Sequence, residues 1–435
     1  MKKNIIKPSI LAGFMELLPG EQKKFNDIVN KILDVYEKNG CLAIDTPIIE
    51  KSKVLLAKSG GETEKQVYSF KKGKNDLALR FDLTVPFARY VAQYYNELTF
   101  PFKRYQLGKV YRGERNQKGR YREFYQCDVD VIGRDKLSIN NDAWVISLAS
   151  KAFKAIGLTN YKFQISNRKI LKGILKEFEI DNTTEVMILI DKYDKIGKIN
   201  FVNELKGLIG SEKSEYLNKI FEIKGTNEEK IEELLKLNIK NSFFIEGMEE
   251  LKKVKSTLEI LGVKDSEYDI NLKIIRGLDY YTGTVFETLL MGNEEYGSIC
   301  SGGRYDNLAE KYTENILPGV GISIGMTRLF FVLKEIGFID KYNVKSKFDY
   351  LIIPIGNTME YCGKVMAYLQ EKGYGATIYF EDDSLKKKMK YANKLGIENV
   401  ILIGEDEVLK DKVRIKNMKL GSEIEINYTE LCKEK

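Results

Sequence analysis

The chain contains no histidine, which excludes Ser-His-Asp and Cys-His catalysis and every His-based metal site. Any reaction must rest on Arg, Lys, Asp, Glu, Tyr and bound ions. Residues able to do such chemistry concentrate in FKRYQLGKVYRGERNQKGRYREFYQCDVDVIG, residues 102–133. Two strand-like segments flank a polar, basic loop around NQKGRY, as in a hairpin. In the second segment Arg122, Phe124, Gln126, Asp128 and Asp130 share one face by parity, while Tyr125, Cys127, Val129 and Val131 share the other. Arg112 and Glu114 share a face in the first. A sheet with one apolar face and one face of Arg, Glu, Gln and Asp is built to hold a polar ligand. A half-exposed hairpin with a solvated outer face has the same composition, because exposed charge costs little.

Three further segments carry candidates. In LRFDLTVPFARY, residues 79–90, Asp82 and Thr84 share strand parity. RGLDYYTGTVFE, residues 276–287, holds the pair Tyr280 and Tyr281 beside Arg276 and Gly283. In GVGISIGMTRLF, residues 319–330, Val320, Ile322 and Ile324 make an apolar face, and Gly321, Ser323 and Gly325 a face small enough for close ligand approach. The spacing is not GxGxxG and no acidic residue falls where a dinucleotide fold needs one. Arg328 falls at the start of the next helix, where backbone N–H groups favour phosphate.

These segments need elements to hold them. Residues 20–39 place Phe25, Ile28, Val29, Ile32 and Tyr36 on one helical stripe. The chain is strand-like from Leu77 to Ile132 and again from Ile274 to Ile324. Between them, about 168–256 is Lys/Glu-rich and helical, with a capping box from Thr226 and Glu229; it reads as an inserted helical subdomain. Residues 333–347 read as a linker. From Phe348, strands such as YLIIPI and NVILIG alternate with helices, the pattern of a small α/β domain.

At 435 residues the chain is expected to hold two or three domains. A net charge of +7 permits a polyanionic partner without identifying one. No apolar run is long enough to span a bilayer. Five scattered cysteines without CxxC spacing fit a reducing, cytoplasmic setting.

Arg112 and Glu114, the loop and Phe124 resemble motif 2 of class II aminoacyl-tRNA synthetases, and QKGRYREFYQCDVD resembles the histidyl-tRNA synthetase family in particular. RGLDYYTGTVFE resembles that family's histidine-specific motif; SGGRYDNL (residues 301–308) and GVGISIGMTRLF resemble its closing strands and motif 3; LRFDLTVPFARY is a fourth family string. The likeness is colinear over nearly the whole chain. It implies an α+β fold: a class II antiparallel-sheet catalytic core over 1–332 with the helical insertion, and an α/β anticodon-binding domain over 348–435.

The resemblance implies ATP-dependent activation of L-histidine and transfer to tRNA(His). ATP would be a substrate with Mg²⁺, no tightly bound protein-ligated metal is expected, and the enzyme would be a cytoplasmic homodimer away from membranes. The catalytic pair would be Arg276 and Arg112, at the α-phosphate and the histidine carboxylate. Glu114 would take the adenine amino group and Phe124 its ring, with Arg120 and Arg328 on the outer phosphates. Asp82, Leu83, Thr84 and Gln126 would surround the α-amino group; Asp130 and Tyr281 would take the imidazole, with Tyr280 and Tyr305 lining the pocket. Gln117, Lys118, Lys386, Lys387 and Lys390 would touch tRNA. Metal ligands are unassigned.

The chain departs from the family pattern at Thr327, where Glu is usual, and Asn116, where Pro is common. Asp82 and Asp130 replace a Glu carried by many bacterial members. Two rival readings are non-catalytic: a synthetase-like regulatory subunit of ATP phosphoribosyltransferase and a tRNA-sensing module. The first typically lacks the C-terminal domain and has eroded motifs. Both are disfavoured by the presence of Arg112, Glu114, Arg276 and Arg328.

Overall fold

The computed structural model describes residues 5–57, 62–114, 118–275, 280–344 and 348–431. The chain divides into two units, Met1–Tyr342 and Asn343–Lys435.

In the first unit the helix Pro19–Lys38 begins with Pro in its first turn and ends before Gly40, whose φ of +79° only glycine adopts cheaply. The expected stripe of Phe25, Ile28, Val29, Ile32 and Tyr36 is buried. Each such side chain contributes roughly 1.5–3 kcal/mol by leaving water. The strands in chain order are β1 (Leu42–Ala43), β2 (Ile49–Lys51), β3 (Ser69–Lys72), β4 (Asn75–Leu79), β5 (Phe102–Tyr111), β6 (Glu123–Ile132), β7 (Tyr161–Asn167), β8 (Tyr268–Ile270), β9 (Thr284–Leu290), β10 (Cys300–Tyr305) and β11 (Gly319–Gly325). Strands β2, β4 and β3 form a small antiparallel sheet; the other eight form one sheet in the order β1-β5-β6-β11-β10-β9-β7-β8. Its inner pairings are antiparallel, with parallel strands at both edges.

One face of this sheet makes the core. Cys127, Val129 and Val131 of β6 pack in one cluster with Phe25, Ile28 and Ile32 of the first helix and Ile146 and Ala149 of the helix Asn140–Ala155. The opposite parity of β6 is therefore left for the site.

Two sequence-based expectations are corrected. The stretch from Leu77 to Ile132 is interrupted by a helix, Thr84–Gln93, which buries Val85, Phe87, Ala88 and Val91. The linker expected at 333–347 begins later. The helix Met326–Glu335 is followed by Phe338–Lys341, whose Ile339 is buried. Lys24 donates to the Ile339 carbonyl at 2.5 Å, and the Tyr342 hydroxyl accepts from Lys31 and donates to Asp27, both at 2.7 Å. These contacts tie the segment to the first helix.

Helices run between Arg168 and Ile260, slightly past the expected end, and include the predicted capping box of Thr226 and Glu229. The first and last of them, Arg168–Glu177 and Ser242–Ile260, cross closely at two glycines. A Cβ at Gly173 would fall 2.5 Å from the Phe244 nitrogen, and one at Gly247 2.7 Å from the Ile170 nitrogen.

In the second unit β12 (Tyr350–Pro354), β13 (Ala376–Ile378), β14 (Asn399–Ile403), β15 (Val413–Asn417) and β16 (Glu423–Ile426) form a mixed sheet in the order β13-β12-β14-β15-β16. Ile352 and Ile401 pack with Val365 and Leu369 on one side, and Leu351 and Val400 with Ala392 on the other. Burial on both faces explains why β12 and β14 read as continuous apolar runs. Among the described residues no helix is long and apolar enough to cross a membrane.

Because backbone, not a flexible side chain, blocks the crossing, Gly173→Ala should lower the thermal unfolding midpoint. The overpacking cost of about 1–3 kcal/mol exceeds the roughly 1 kcal/mol that Ala contributes over Gly in a helix. Thermal melts of the two full-length proteins check this; an unchanged or raised midpoint would show that the crossing relaxes freely.

Candidate active site

Ladder register sets the site. On one side of β6, Arg104 lies opposite Asp130, Gln106 opposite Asp128 and Gly108 opposite Gln126; on the other, Gly321 lies opposite Asp130 and Ser323 opposite Asp128. Paired residues share a face, and this face is covered, not solvated: Asp128 and Asp130 are 1% and 2% exposed. The half-exposed hairpin is thereby excluded.

Arg104 is fully buried. Its Nη2 lies 2.5 Å from Asp130 Oδ2 and 4.0 Å from Asp128 Oδ2, and donates to the Leu83 carbonyl at 3.3 Å. The guanidinium also stands 4.5 Å from the centre of the Phe87 ring. Tyr305 donates its hydroxyl to Asp130 Oδ1 at 2.7 Å, and Gln126 donates Nε2 to Ser323 Oγ at 2.6 Å. The Tyr280 hydroxyl donates to Asp82 Oδ2 at 3.4 Å, and its ring meets those of Tyr281 and Tyr305 edge to face.

Asp82 and Thr84 come together by a route other than strand parity. Asp82 Oδ1 accepts from the Val85 nitrogen at 3.1 Å, holding the first turn of the helix that Thr84 begins. The side chain satisfies a helix N–H that has no partner within the helix. The small face of β11 also differs from expectation. A Cβ at Gly321 would fall 2.1 Å from Asp130 Oδ1, one at Gly319 2.3 Å from the Tyr305 ring, and one at Gly303 of β10 2.9 Å from the Tyr281 ring. Gly319 and Gly321 make room for the chain's own pocket side chains.

A cavity of about 150 Å³ adjoins this pocket, lined by Arg112, Glu114, Arg120, Phe124, Gln126 and Arg328 among others. Arg112 donates Nε to the Phe81 carbonyl at 2.9 Å, and its guanidinium lies 5.2 Å from the Phe124 ring centre. Arg120 Nη1 stands 3.4 Å from Glu114 Oε2. Arg328, in the first turn of its helix, donates Nε to the Gly119 carbonyl and Nη1 to the Ser298 carbonyl, both at 3.1 Å. Burial, then the neighbouring Arg120 and Arg112, push the Arg328 guanidinium below its usual range. Such crowded cations suit an anion of several charges.

The structure thus brings Asp82, Leu83, Thr84, Asp130, Tyr280, Tyr281 and Tyr305 together on one side of the sheet, with Gln126, Arg112, Glu114, Arg120, Phe124 and Arg328 lining the cavity beside them. Arg276, Gln117 and Asn116 lie outside the described residues. Lys118 is paired with Glu335 at 2.6 Å. Lys386, Lys387 and Lys390 belong to the second unit and are exposed on the helix Leu385–Lys394, Lys387 pairing with Asp383; Lys388 between them is buried and donates to the Pro354 carbonyl.

Sequence reasoning assigned no role to four contributors. Arg104 has the parity of Arg112 and could have been found on that count. Asp128 was placed on the right face without a role, and Ser323 was read only as small. Thr327 gave no signal beyond its departure from Glu: its buried hydroxyl accepts from the Tyr125 nitrogen at 2.8 Å. This bond lies just past Gly325, where the pairing of β11 with β6 stops.

Burial raises the Asp82 carboxyl to about 6, against the pull of the Val85 nitrogen and Arg112. It raises Asp128 to about 7 against Arg104, and it raises Asp130 as well. Asp128 Oδ1 and Gln126 Oε1 are buried with no hydrogen-bond partner among the described residues. A pocket of buried acceptors calls for a ligand that brings N–H donors and positive charge.

The folded chain binds these protons more tightly than the unfolded chain, whose aspartates titrate near 3.9. The stabilisation is full below that value and lost as pH rises through about 6 to 7. Asp128→Asn should therefore raise the thermal midpoint of the ligand-free protein at pH 8, at about 2–4 °C per kcal/mol, with a smaller gain at pH 5. Melts at both pH values check this, and an equal gain at both would remove the titration from the explanation.

Comparison with known proteins adds to this geometry. A family model described as "Histidyl-tRNA synthetase" matches residues 13–329, and one described as "Anticodon binding domain" matches 349–434. A protein from Clostridium acetobutylicum named histidine–tRNA ligase is 64% identical over 98% of this chain and 100% of its own length. One of that name from Clostridium tetani is 51% identical, covering 100% and 99%. The crystal structure of histidyl-tRNA synthetase from Nostoc sp. PCC 7120 superposes with a TM-score of 0.88 at 35% identity, covering 99% of both chains. The chain belongs to the histidyl-tRNA synthetase family.

Proposed function

We propose that the chain is a histidine–tRNA ligase, which activates L-histidine with ATP to histidyl-adenylate and then charges the 3′ end of tRNA(His), releasing AMP and diphosphate. The observation that carries this is that an arginine-lined cavity and a cluster of buried carboxylates lie on one sheet face, Gln126 lining the cavity and neighbouring Asp128 on β6. Arg112 and Arg276 hold the α-phosphate and the histidine carboxylate. Phe124 stacks on adenine, Glu114 accepts from its amino group, and Arg120 and Arg328 hold the outer phosphates. Asp82, Leu83, Thr84 and Gln126 take the ammonium end; Asp130 and Tyr281 take the imidazole between Tyr280 and Tyr305.

The histidine carboxylate is already ionised and attacks the α-phosphorus directly, so no general base is needed. A carboxylate oxygen–phosphorus bond forms and the bond to diphosphate breaks. Charge building on the phosphoryl oxygens meets guanidinium groups already in place. Mg²⁺ enters as part of the ATP substrate. A non-catalytic regulatory role is disfavoured by the retained arginine cavity and by the C-terminal unit. Lys386, Lys387 and Lys390 serve tRNA phosphates, and Gln117 and Lys118 its acceptor end. The chain works as a cytoplasmic homodimer, for which Leu42, Ile48 and Ile49, exposed after the first helix, offer apolar surface.

Histidine-dependent exchange of diphosphate into ATP, followed by charging of purified tRNA, tests this reading; absence of both in a folded protein would overturn it. Asp130→Asn keeps the shape but swaps an acceptor pair for an amide, so histidine kcat/KM should fall on the order of 10²-fold or more with little change in ATP KM. An unchanged histidine kcat/KM would place ring recognition elsewhere.

Thr327→Val leaves the Tyr125 nitrogen without its acceptor, an expected loss of about 1–3 kcal/mol at the strand that carries Phe124. ATP KM should rise roughly five- to tenfold more than histidine KM does, and Thr327→Ser should restore it. Equal behaviour of the Val and Ser variants would deny the hydroxyl this role.

A further inference from the structure

The turn that carries Tyr281 is held from two sides. On the sheet side the Thr282 nitrogen donates to the Arg304 carbonyl at 2.8 Å, and the Thr282 hydroxyl donates to Asp306 Oδ2 at 2.5 Å. Arg304 is itself fixed by Asp142 through Nη2 at 2.7 Å and Nε at 3.1 Å. On the other side stands Arg168, the first residue of the helix Arg168–Glu177. Its backbone nitrogen donates to the Gly283 carbonyl at 2.9 Å, and its Nη1 donates to the Tyr281 carbonyl, also at 2.9 Å. One residue thus brackets both ends of Tyr281-Thr282-Gly283.

Arg168 is in turn placed by the helical segment. Asn167 caps its helix, accepting from the Lys169 nitrogen at 2.9 Å, and donates Nδ2 to Glu250 at 2.7 Å. Lys169 Nζ reaches the other oxygen of Glu250 at 2.6 Å. Glu250 lies on the helix Ser242–Ile260, which crosses Arg168–Glu177 at Gly173 and Gly247. The two ends of the run from Arg168 to Ile260 are therefore locked together beside the turn. The Tyr281 ring has no slack against the sheet, since it occupies the space a side chain at position 303 would fill.

We infer that Arg168 is a positioning residue for amino-acid recognition, and that the helical segment Arg168–Ile260 acts on the histidine pocket through it. This rests on the histidine-activating reading above. Arg168 fixes the carbonyl of Tyr281, whose side chain packs against Tyr280 and the sheet. Hydrogen bonds fall off steeply with displacement, so a turn freed on one side weakens contacts to the amino acid while leaving the arginine cavity intact.

The test is histidine-dependent diphosphate exchange with the full-length chain. Arg168→Met keeps the length of the stem and suits a helix, but has no donor. Its histidine KM should rise about tenfold or more, with ATP KM within about twofold of wild type, as expected for losing a charged donor on a carbonyl. Arg168→Lys, with one donor, should recover part of the loss. Lys255→Met breaks ion pairs to Glu228 and Glu259 within the same helical segment without touching the turn or the Glu250 network, and should leave histidine KM within about twofold. An unchanged histidine KM in Arg168→Met, an equal rise in Lys255→Met, or a parallel rise in ATP KM would overturn the inference. If the Met variant does not fold, Arg168→Lys carries the test: a selective rise in histidine KM supports it and no rise overturns it. A wild-type chain inactive in exchange would instead overturn the functional reading itself.

Discussion

Arg104 has no exposed surface, and it faces Asp130 and Asp128 across the ladder of β5 and β6. A guanidinium taken out of water costs several kcal/mol unless it is paired and hydrogen-bonded. Nη2 meets one carboxylate at 2.5 Å, a second at 4.0 Å and the Leu83 carbonyl, and the Phe87 ring lies against the guanidinium, while Nε and Nη1 are buried with no hydrogen-bond partner among the described residues. Each of these partners places something else. The Leu83 carbonyl brings in the segment with Asp82 and Thr84, and Asp130 receives the Tyr305 hydroxyl. Asp130 and Tyr305 can lie flat on the sheet only because positions 321 and 319 are glycine. The pocket is assembled around one buried cation.

That cation does not neutralise the pocket. Asp82, Asp128 and Asp130 are all buried, and all are pushed above the usual carboxylate range. The surplus acceptor capacity fits a ligand that brings N–H donors and positive charge, as the histidine of the proposed reaction would. At the other end of the same face, Arg112, Arg120 and Arg328 crowd together with Glu114 as the nearby counter-charge. A rigid sheet keeps these opposite fields a few residues apart on one face, with Gln126 between them.

Much of this was legible in the chain. The helix over residues 20–39 and the faces of β6 follow from periodicities of 3.6 and 2, the capping box at Thr226 from a Thr three residues before a Glu, and the strands of the second unit from unbroken apolar runs. Arg112, Glu114, Phe124 and Arg328 were singled out from their strings, and the structure brings them together around one cavity. Arg104 was legible by the same parity argument and was passed over, because a lone Arg in an aromatic strand gives no sign of being buried.

The sequence by itself determined which side chains leave each strand on a common face, because parity is a local property of an extended backbone. It also determined the helix over residues 20–39 and the helical run after Arg168, because the apolar stripe repeats within each segment, but not the helix Thr84–Gln93. Only the tertiary structure decided which face is covered, and burial decides chemistry. It turned a face that composition could not tell from a solvated hairpin into a pocket of carboxylates with raised pKa values. It put Asp82 at the start of a helix instead of along a strand, because the Val85 nitrogen needed an acceptor. It gave the space over Gly319 and Gly321 to Tyr305 and Asp130, and it set the Thr327 hydroxyl on the Tyr125 nitrogen, 202 residues away. Those outcomes depend on residues far apart in the chain, which no local pattern encodes.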